Sequence, residues 1–240
     1  MSITHCPVVE LRQYTLKPDT ADTLIELFEA HFVESQEAVG MRLGGLFRQP
    51  EGTDRFVWMR GFASMETRHQ ALSTFYTGPV WKQHGPAANA TMIDSDNVLL
   101  LRPTDPPHPP GPPGPRPPVG SVATGRACVV VTTWFHELGD GTCHWLARDV
   151  QPLLAELLGT NVATWRTEPA ENTFPALPVR SDHAFVWTAT FRDQAARDTA
   201  LASLDVMPAW QGVRRELDKR GVVAEVLRLR PTLRSQHEPA

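Results

Sequence analysis

The feature that most constrains this chain is that it repeats itself. Phe56-Val57-Trp58 returns as Phe185-Val186-Trp187 at an offset of 129 residues. The same offset carries Phe62 to Phe191, Ala71-Leu72 to Ala200-Leu201 and Pro79-x-Trp81 to Pro208-x-Trp210. Val98-Leu99-Leu100-Leu101-Arg102-Pro103 returns as Val226-Leu227-Arg228-Leu229-Arg230-Pro231, at an offset of 128. Matches in one order at nearly one offset mark two copies of a unit, and the fold must be sought for that unit. Earlier in the copies, Phe47-Arg48-Gln49-Pro50 faces Trp165-Arg166-Thr167-Glu168-Pro169 at an offset of 118, so the second copy carries an insertion of about 11 residues near 170–181. Its prolines and Asn172 suit a long loop between two strands.

Between the copies lies a proline-rich run. Ten of the 22 prolines fall between Pro103 and Pro118. Such a run favours polyproline II at about 3.1 Å per residue, so the spacer reaches roughly 50 Å and lets the second copy swing round onto the first. A PxxP, Pro110 to Pro113, also offers a ligand for a proline-reading domain. The chain is thus divided into a first unit at 1–103, a linker at 104–120, a divergent second unit at 121–231 and a tail at 232–240.

Within one copy, Val8 to Leu16 reads as a strand. Pro18-Asp19-Thr20 supplies helix-start chemistry, and Leu24, Leu27, Phe28 and His31 follow at the spacing of one helical face, with Gly40 as the stop. Met41 to Gln49 and Arg55 to Phe62 read as strands joined by a turn at Glu51-Gly52-Thr53-Asp54. Ser64 begins a helix to about Tyr76; Gly78-Pro79 opens a short helix through Trp81, Pro86 another short segment, and Val98 to Arg102 is the last strand. The order β-α-β-β-α-β is the ferredoxin-like arrangement, an α+β unit with helices on one face of an antiparallel sheet and the other face bare. Two tandem units burying their bare faces against each other give an intramolecular pseudo-dimeric α+β barrel.

Composition narrows the partners. The net charge of −4, with no basic stripe, argues against nucleic acid and anionic membrane surfaces. No apolar run approaches the roughly 18–20 residues of a membrane span. Cys6, Cys128 and Cys143 are few, odd in number and not spaced as metal ligands, which suits a reducing compartment. No secretory leader is evident, so a cytoplasmic protein is expected, with further self-association left open. His136, Cys143 and His144 lie close in sequence without a zinc pattern, and no metal is expected. Nucleotide-binding glycine loops and nucleophile-elbow motifs are absent.

Strand alternation places Phe56, Trp58, Arg60 and Phe62 on one face of the third strand, and Val8, Glu10, Arg12, Tyr14 and Leu16 on one face of the first. Arg60 among aromatics needs partners, and Glu10 and Arg12 on a neighbouring strand supply them. The second copy has Ala189 for Arg60 and an uncharged Cys128-Val129-Val130-Val131 for the strand that held Glu10 and Arg12. Both sides of the ionic group vanish together. Two readings stand: a structural ion pair, or a polar patch that orients a ligand. His31 on the apolar stripe reads as a core histidine or a base. His84 reads as a helix-end cation or a proton carrier, since an unperturbed imidazole titrates at about 6.5. Tyr76 and Asn89 add polar groups, and Tyr14 and Tyr76 are the only tyrosines in the chain.

Glu10-Leu11-Arg12-x-Tyr14, Phe56-Val57-Trp58-x-Arg60-Gly61-Phe62, Phe75-Tyr76-x-Gly78-Pro79-Val80-Trp81-Lys82 and Asp96-Asn97-Val98-Leu99-Leu100-Leu101-Arg102 together resemble the NIPSNAP family of the dimeric α+β barrel superfamily. The resemblance is close over 8–103 and holds only in outline over 122–231. It implies a barrel of two ferredoxin-like units. The superfamily spans cofactor-free monooxygenases, polyketide cyclases, haem-degrading enzymes and non-catalytic sensors, and fold alone does not choose among them. The expectation drawn from it is a small aromatic or polyketide-like ligand in the first-copy pocket, without a cofactor, undergoing oxygenation, cyclisation or isomerisation. In that scheme Arg60 and Arg12 hold an oxygen, Tyr14 or His84 moves a proton, and Phe56 and Trp58 form the apolar wall, with Glu10, His31, Tyr76 and Asn89 around the ligand. A non-catalytic scaffold and haem binding through His31 or His84 are the alternatives.

Overall fold

The computed structural model describes residues 3–50, 54–104, 116–121, 126–135 and 140–236. The turn expected at Glu51-Gly52-Thr53, most of the proline-rich spacer with its PxxP, and His136 lie outside them. In the first half, β1 (Val8–Leu16) leads to α1 (Ala21–Leu27), a π-helical turn (Phe28–Phe32) and α2 (Val33–Glu37). Then come β2 (Arg42–Arg48), β3 (Arg55–Phe62), α3 (Met65–Thr77), α4 (Pro79–Ala90) and β4 (Met92–Pro103). The second half repeats this with β5 (Ala127–Phe135), α5 (Asp140–Trp145), a π-helical turn (Leu146–Val150), α6 (Gln151–Leu158), β6 (Val162–Thr167), β7 (His183–Phe191), α7 (Gln194–Val206), α8 (Pro208–Lys219) and β8 (Val223–Pro231).

The strands close into one barrel in the order β1-β3-β2-β8-β5-β7-β6-β4. Each half contributes a four-stranded ferredoxin-like sheet, and the halves are hydrogen-bonded edge to edge. Phe47 and Arg48 pair with Pro231 and Arg230 at one seam; Leu101, Arg102 and Pro103 pair with Thr167, Arg166 and Trp165 at the other. Closure removes the exposed edges that either sheet alone would present. The bare faces expected from sequence meet inside: Val9, Leu11, Met59 and Leu99 of the first half pack with Trp165, Val186 and Leu229 of the second. That interior is an apolar core. A second layer lies between the first sheet and its helices, where Phe56, Trp58 and Phe62 meet Leu24, Phe28, Phe32, Leu72 and Phe75.

Local chemistry accounts for most boundaries. Ser64 caps α3 reciprocally, its Oγ accepting from the Thr67 N–H at 3.1 Å while its own N–H donates to Thr67 Oγ1 at 2.8 Å. Gly40, at φ +94°, turns the chain out of the first helical segment, and Gly159 at φ +61° does the same in the second half. Three expectations need correction. The π turn carries more residues per turn than an α-helix, so after Phe28 the inward position falls to Phe32 and leaves His31 exposed. Pro86 lies inside α4, which runs unbroken from Pro79 to Ala90, so His84 is mid-helix and not an end cation. β4 begins at Met92, because polar residues 94–97 that read as loop continue the pairing with β1 across bulges.

Candidate functional site

Antiparallel pairing sets Glu10 opposite Arg60, Arg12 opposite Trp58 and Tyr14 opposite Phe56, all on the helix-facing side of the sheet. Glu10 Oε2 accepts from Arg12 Nη1 and Arg60 Nε, each at 2.8 Å, and Glu10 Oε1 accepts from Arg68 Nε at 2.7 Å. None of the four residues is more than 1% exposed. Burial alone would push the Glu10 carboxyl up, but Arg60, Arg12 and Arg68 outweigh it and hold the group well below the usual carboxylate range. Gln36 Oε1 accepts from Arg60 Nη1 at 3.0 Å, and the Trp58 ring lies 5.1 Å from the Arg60 guanidinium and 5.7 Å from that of Arg12. Aromatic faces thus carry part of the load. Glu10 is the only carboxylate paired with these arginines among the described residues, so three guanidiniums against one carboxylate leave two positive charges in excess.

That excess opens on one side into a cavity of about 330 Å³ between the first sheet and its helices. Arg12 and Tyr14 form its floor; Phe28, Phe32, Tyr76 and Trp81 wall it. Arg12 Nε donates to the Tyr14 hydroxyl oxygen at 2.9 Å, which leaves the Tyr14 proton free to be donated elsewhere. Burial pushes the Tyr14 phenol up despite the arginines, so it stays protonated near neutrality and acts as a donor, not as a base. Asn89 and Asp96 line the mouth.

The roof comes from the other half. Phe174, Leu177 and Pro178 of the second-half insertion cover the cavity. Asn172 Oδ1 accepts from Arg68 Nη1 at 3.0 Å, His69 Nδ1 lies 2.6 Å from the Thr173 carbonyl oxygen, and the Arg180 N–H donates to the Val98 carbonyl at 2.8 Å. Arg68 therefore bridges the buried cluster and the roof.

Of the residues expected at a site, Arg12, Tyr14, Tyr76 and Asn89 line this cavity. Glu10 and Arg60 stand behind the floor, so Arg60 orients Arg12 through Glu10 and is not among the lining residues. Phe56 and Trp58 are packed in the layer beneath, and the walls they were expected to form come from the helices and the roof loop. His31 and His84 do not line the cavity either. Their rings stack on each other, centroids 3.7 Å apart and 8° from parallel, on the outer side of the helices. Sequence reasoning missed Arg68, Gln36, Asp96 and the roof. Arg68 had a signal: the offset of 129 matches it to Arg197, which is also buried.

In the second half, strand pairing puts Val129, Val131 and Ala189 where the first has Glu10, Arg12 and Arg60. Arg197 there turns to its neighbour Asp198, Nη2 to Oδ1 at 2.8 Å. The matching space is a 40 Å³ remnant edged by Phe185, Trp187 and Trp210.

Residues 9–106 match the NIPSNAP family model. Over almost the whole chain the structure is similar to an anthrone oxidase-like protein, with TM-score 0.63 and 15% identity over 99% of this chain and 97% of that one. It is also similar to a candidate monooxygenase from Lactobacillus acidophilus, at TM-score 0.57 and 13% identity over 97% of both chains. A third, from Fusobacterium nucleatum, gives TM-score 0.58 and 10% identity over 98% and 96%. At these TM-scores and low identities the likeness is one of fold, an α+β barrel built of two ferredoxin-like halves. No curated protein sequence matches the chain. No helix among the described residues is long and apolar enough to cross a membrane.

Proposed function

We propose that this NIPSNAP-type first half, completed by the roof of the second, binds a small aromatic molecule bearing an acidic oxygen and promotes loss of a proton from it. One observation carries the reading: a buried surplus of positive charge meets an aromatic-walled cavity through Arg12 and Tyr14. A phenolate oxygen on that floor receives charge-assisted hydrogen bonds from Arg12 and a donated hydrogen bond from Tyr14, in a site where low dielectric strengthens both. The rings of Phe28, Phe32, Trp81 and Phe174 take the flat body of the ligand. In this reading Asp96, a carboxylate among the lining residues, receives the proton. Stabilising the carbanion–enolate is the step common to cofactor-free oxygenation, cyclisation and isomerisation. The similarity to an anthrone oxidase-like protein and to two candidate monooxygenases favours the first of these. A cavity of 330 Å³ sits at the small end of the range for ligand pockets, about 300–1,000 Å³, and suits a few fused rings.

The test uses 1,8-dihydroxyanthrone and its dimethyl ether, which keeps the ring system but has no acidic hydroxyl. Quenching of tryptophan fluorescence should show the dihydroxy compound binding more tightly than the ether. Arg12→Gln should lose roughly tenfold to a hundredfold in affinity for the dihydroxy compound and little for the ether, as removal of a hydrogen bond to charge implies. Oxygen uptake with the dihydroxy compound should fall in Asp96→Asn without a matching loss of binding. Equal binding of both compounds by the wild type and Arg12→Gln would remove the proposal.

A further inference from the structure

The two seams of the barrel carry the same pair of arginines in different company. At one, Arg48 lies opposite Arg230; at the other, Arg102 lies opposite Arg166. Like charges directly across a sheet repel unless something compensates them. At the first seam the compensation is internal. Arg48 Nη1 donates to Asp22 Oδ1 at 2.7 Å, and Arg230 Nη2 donates to Gln194 Oε1 at 3.2 Å.

At the second seam both partners have been replaced. Gly141 follows β5 at the offset of 119 by which Asp22 follows β1, and Met65 stands at the start of α3 where Gln194 starts α7. Arg102 and Arg166 have no ion pair among the described residues, and the Nε of each is buried without a hydrogen-bond partner. Both face a cavity of about 630 Å³, separate from the aromatic one and lined also by Thr104, Gly141 and His144. A Cβ placed on Gly141 would meet nothing within 4 Å, so the space left by the missing carboxylate is open.

We propose that this cleft, between β4, β6 and the start of α5, binds a small polar anion bearing phosphate or carboxylate groups. Two guanidiniums side by side supply planar donor forks suited to an oxyanion. His144 on α5 and Thr104 add polar groups at its edge, and among the described residues the lining holds no phenylalanine, tyrosine or tryptophan to take an apolar ligand. The anion takes the place that Asp22 and Gln194 fill at the other seam. It also spans strands from both halves, so its binding ties them together across this seam.

The test is titration calorimetry of the full chain with pyrophosphate and, separately, citrate, at constant ionic strength set by sodium chloride. Saturable binding at one site per chain is expected, with thermal stabilisation that follows ligand concentration. Tighter pyrophosphate binding identifies a phosphate ligand, tighter citrate binding a carboxylate one. Arg166→Ala should lose about tenfold or more in affinity, the worth of one hydrogen bond to charge. Gly141→Asp keeps both arginines and supplies an internal counter-ion, so it should abolish binding while leaving the circular dichroism spectrum unchanged. Arg12→Gln, in the other cavity, should bind as the wild type does, which separates this proposal from the aromatic site. Absence of binding to both anions, or undiminished affinity in Gly141→Asp, would overturn it.

Discussion

Replacing Glu10 by glutamine is the most demanding test of the buried cluster. The side chain keeps its shape and loses only its charge. In the wild type one carboxylate accepts from Arg12, Arg60 and Arg68 at 2.7–2.8 Å in a place without solvent. The variant leaves three guanidiniums facing a neutral amide that can accept from them but also turns an N–H₂ group towards them. Breaking a buried ion pair by removing one partner costs about 3–5 kcal/mol, because the other charge stays desolvated. For a chain of this size each kcal/mol moves the melting temperature by about 2–4 °C, so a fall of roughly 6–20 °C is expected. The assay is urea unfolding followed by far-ultraviolet circular dichroism, with calorimetry for the melting temperature. The pH dependence gives a second, independent reading. Glu10 has a folded pKa below its ordinary value of 4.5, so its contribution is fully present above that value and is lost as the pH falls below it. The stability gap between wild type and variant should be flat above about pH 5.5 and narrow by about 1.4 kcal/mol per pH unit below about pH 4.5. A loss under about 1 kcal/mol, or a gap that does not narrow in acid, would show that the arginines are compensated by something other than Glu10.

Two further changes probe the parts around that cluster. Gly61→Ala would place a Cβ 2.4 Å from Cys6 Sγ and 2.5 Å from Cys6 Cβ, so overpacking of about 1–3 kcal/mol is expected in urea unfolding, with Cys6→Ala restoring part of it. Asn172→Ala removes the nearer of the two acceptors of Arg68 Nη1 and leaves only Thr173 Oγ1 at 3.4 Å; limited proteolysis should then cut within 170–181 faster and anthrone binding should weaken severalfold, while the main unfolding midpoint stays nearly fixed.

The sequence made the architecture legible because repeats and strand alternation are long-range regularities that survive local error. β1 and β3 were bounded by β-rich runs between turn residues, and the ionic partners on them followed from period two. Two of the failures share a cause: each depended on a local departure from regular geometry. A π turn moved His31 out of the core, and bulges let polar residues 94–97 stay in a strand. Arg68 was hidden for another reason. It enters the cluster from a helix, 58 residues away from Glu10, and only three-dimensional packing brings that helix face over strand β1. The roof was visible as an insertion, but nothing in its proline-rich sequence said which half it would cover.

That last point explains what a single chain gains over two identical ones. In a symmetric dimer every change is made twice: a loop long enough to roof one cavity would roof both, and an aspartate lost from one seam would be lost from the other. Here the insertion sits only in the second half and covers only the first, anchored by Arg68 of the half it serves. The second half meanwhile has Val129, Val131 and Ala189 in place of the charged group, which spares it the desolvation of an unbalanced cluster and lets its own cavity shrink to 40 Å³. The two seams have diverged in the same way, one keeping Asp22 and the other opening at Gly141. Each half has thus shed a cost that its partner bears, a division that identical subunits encoded by one unit could not make.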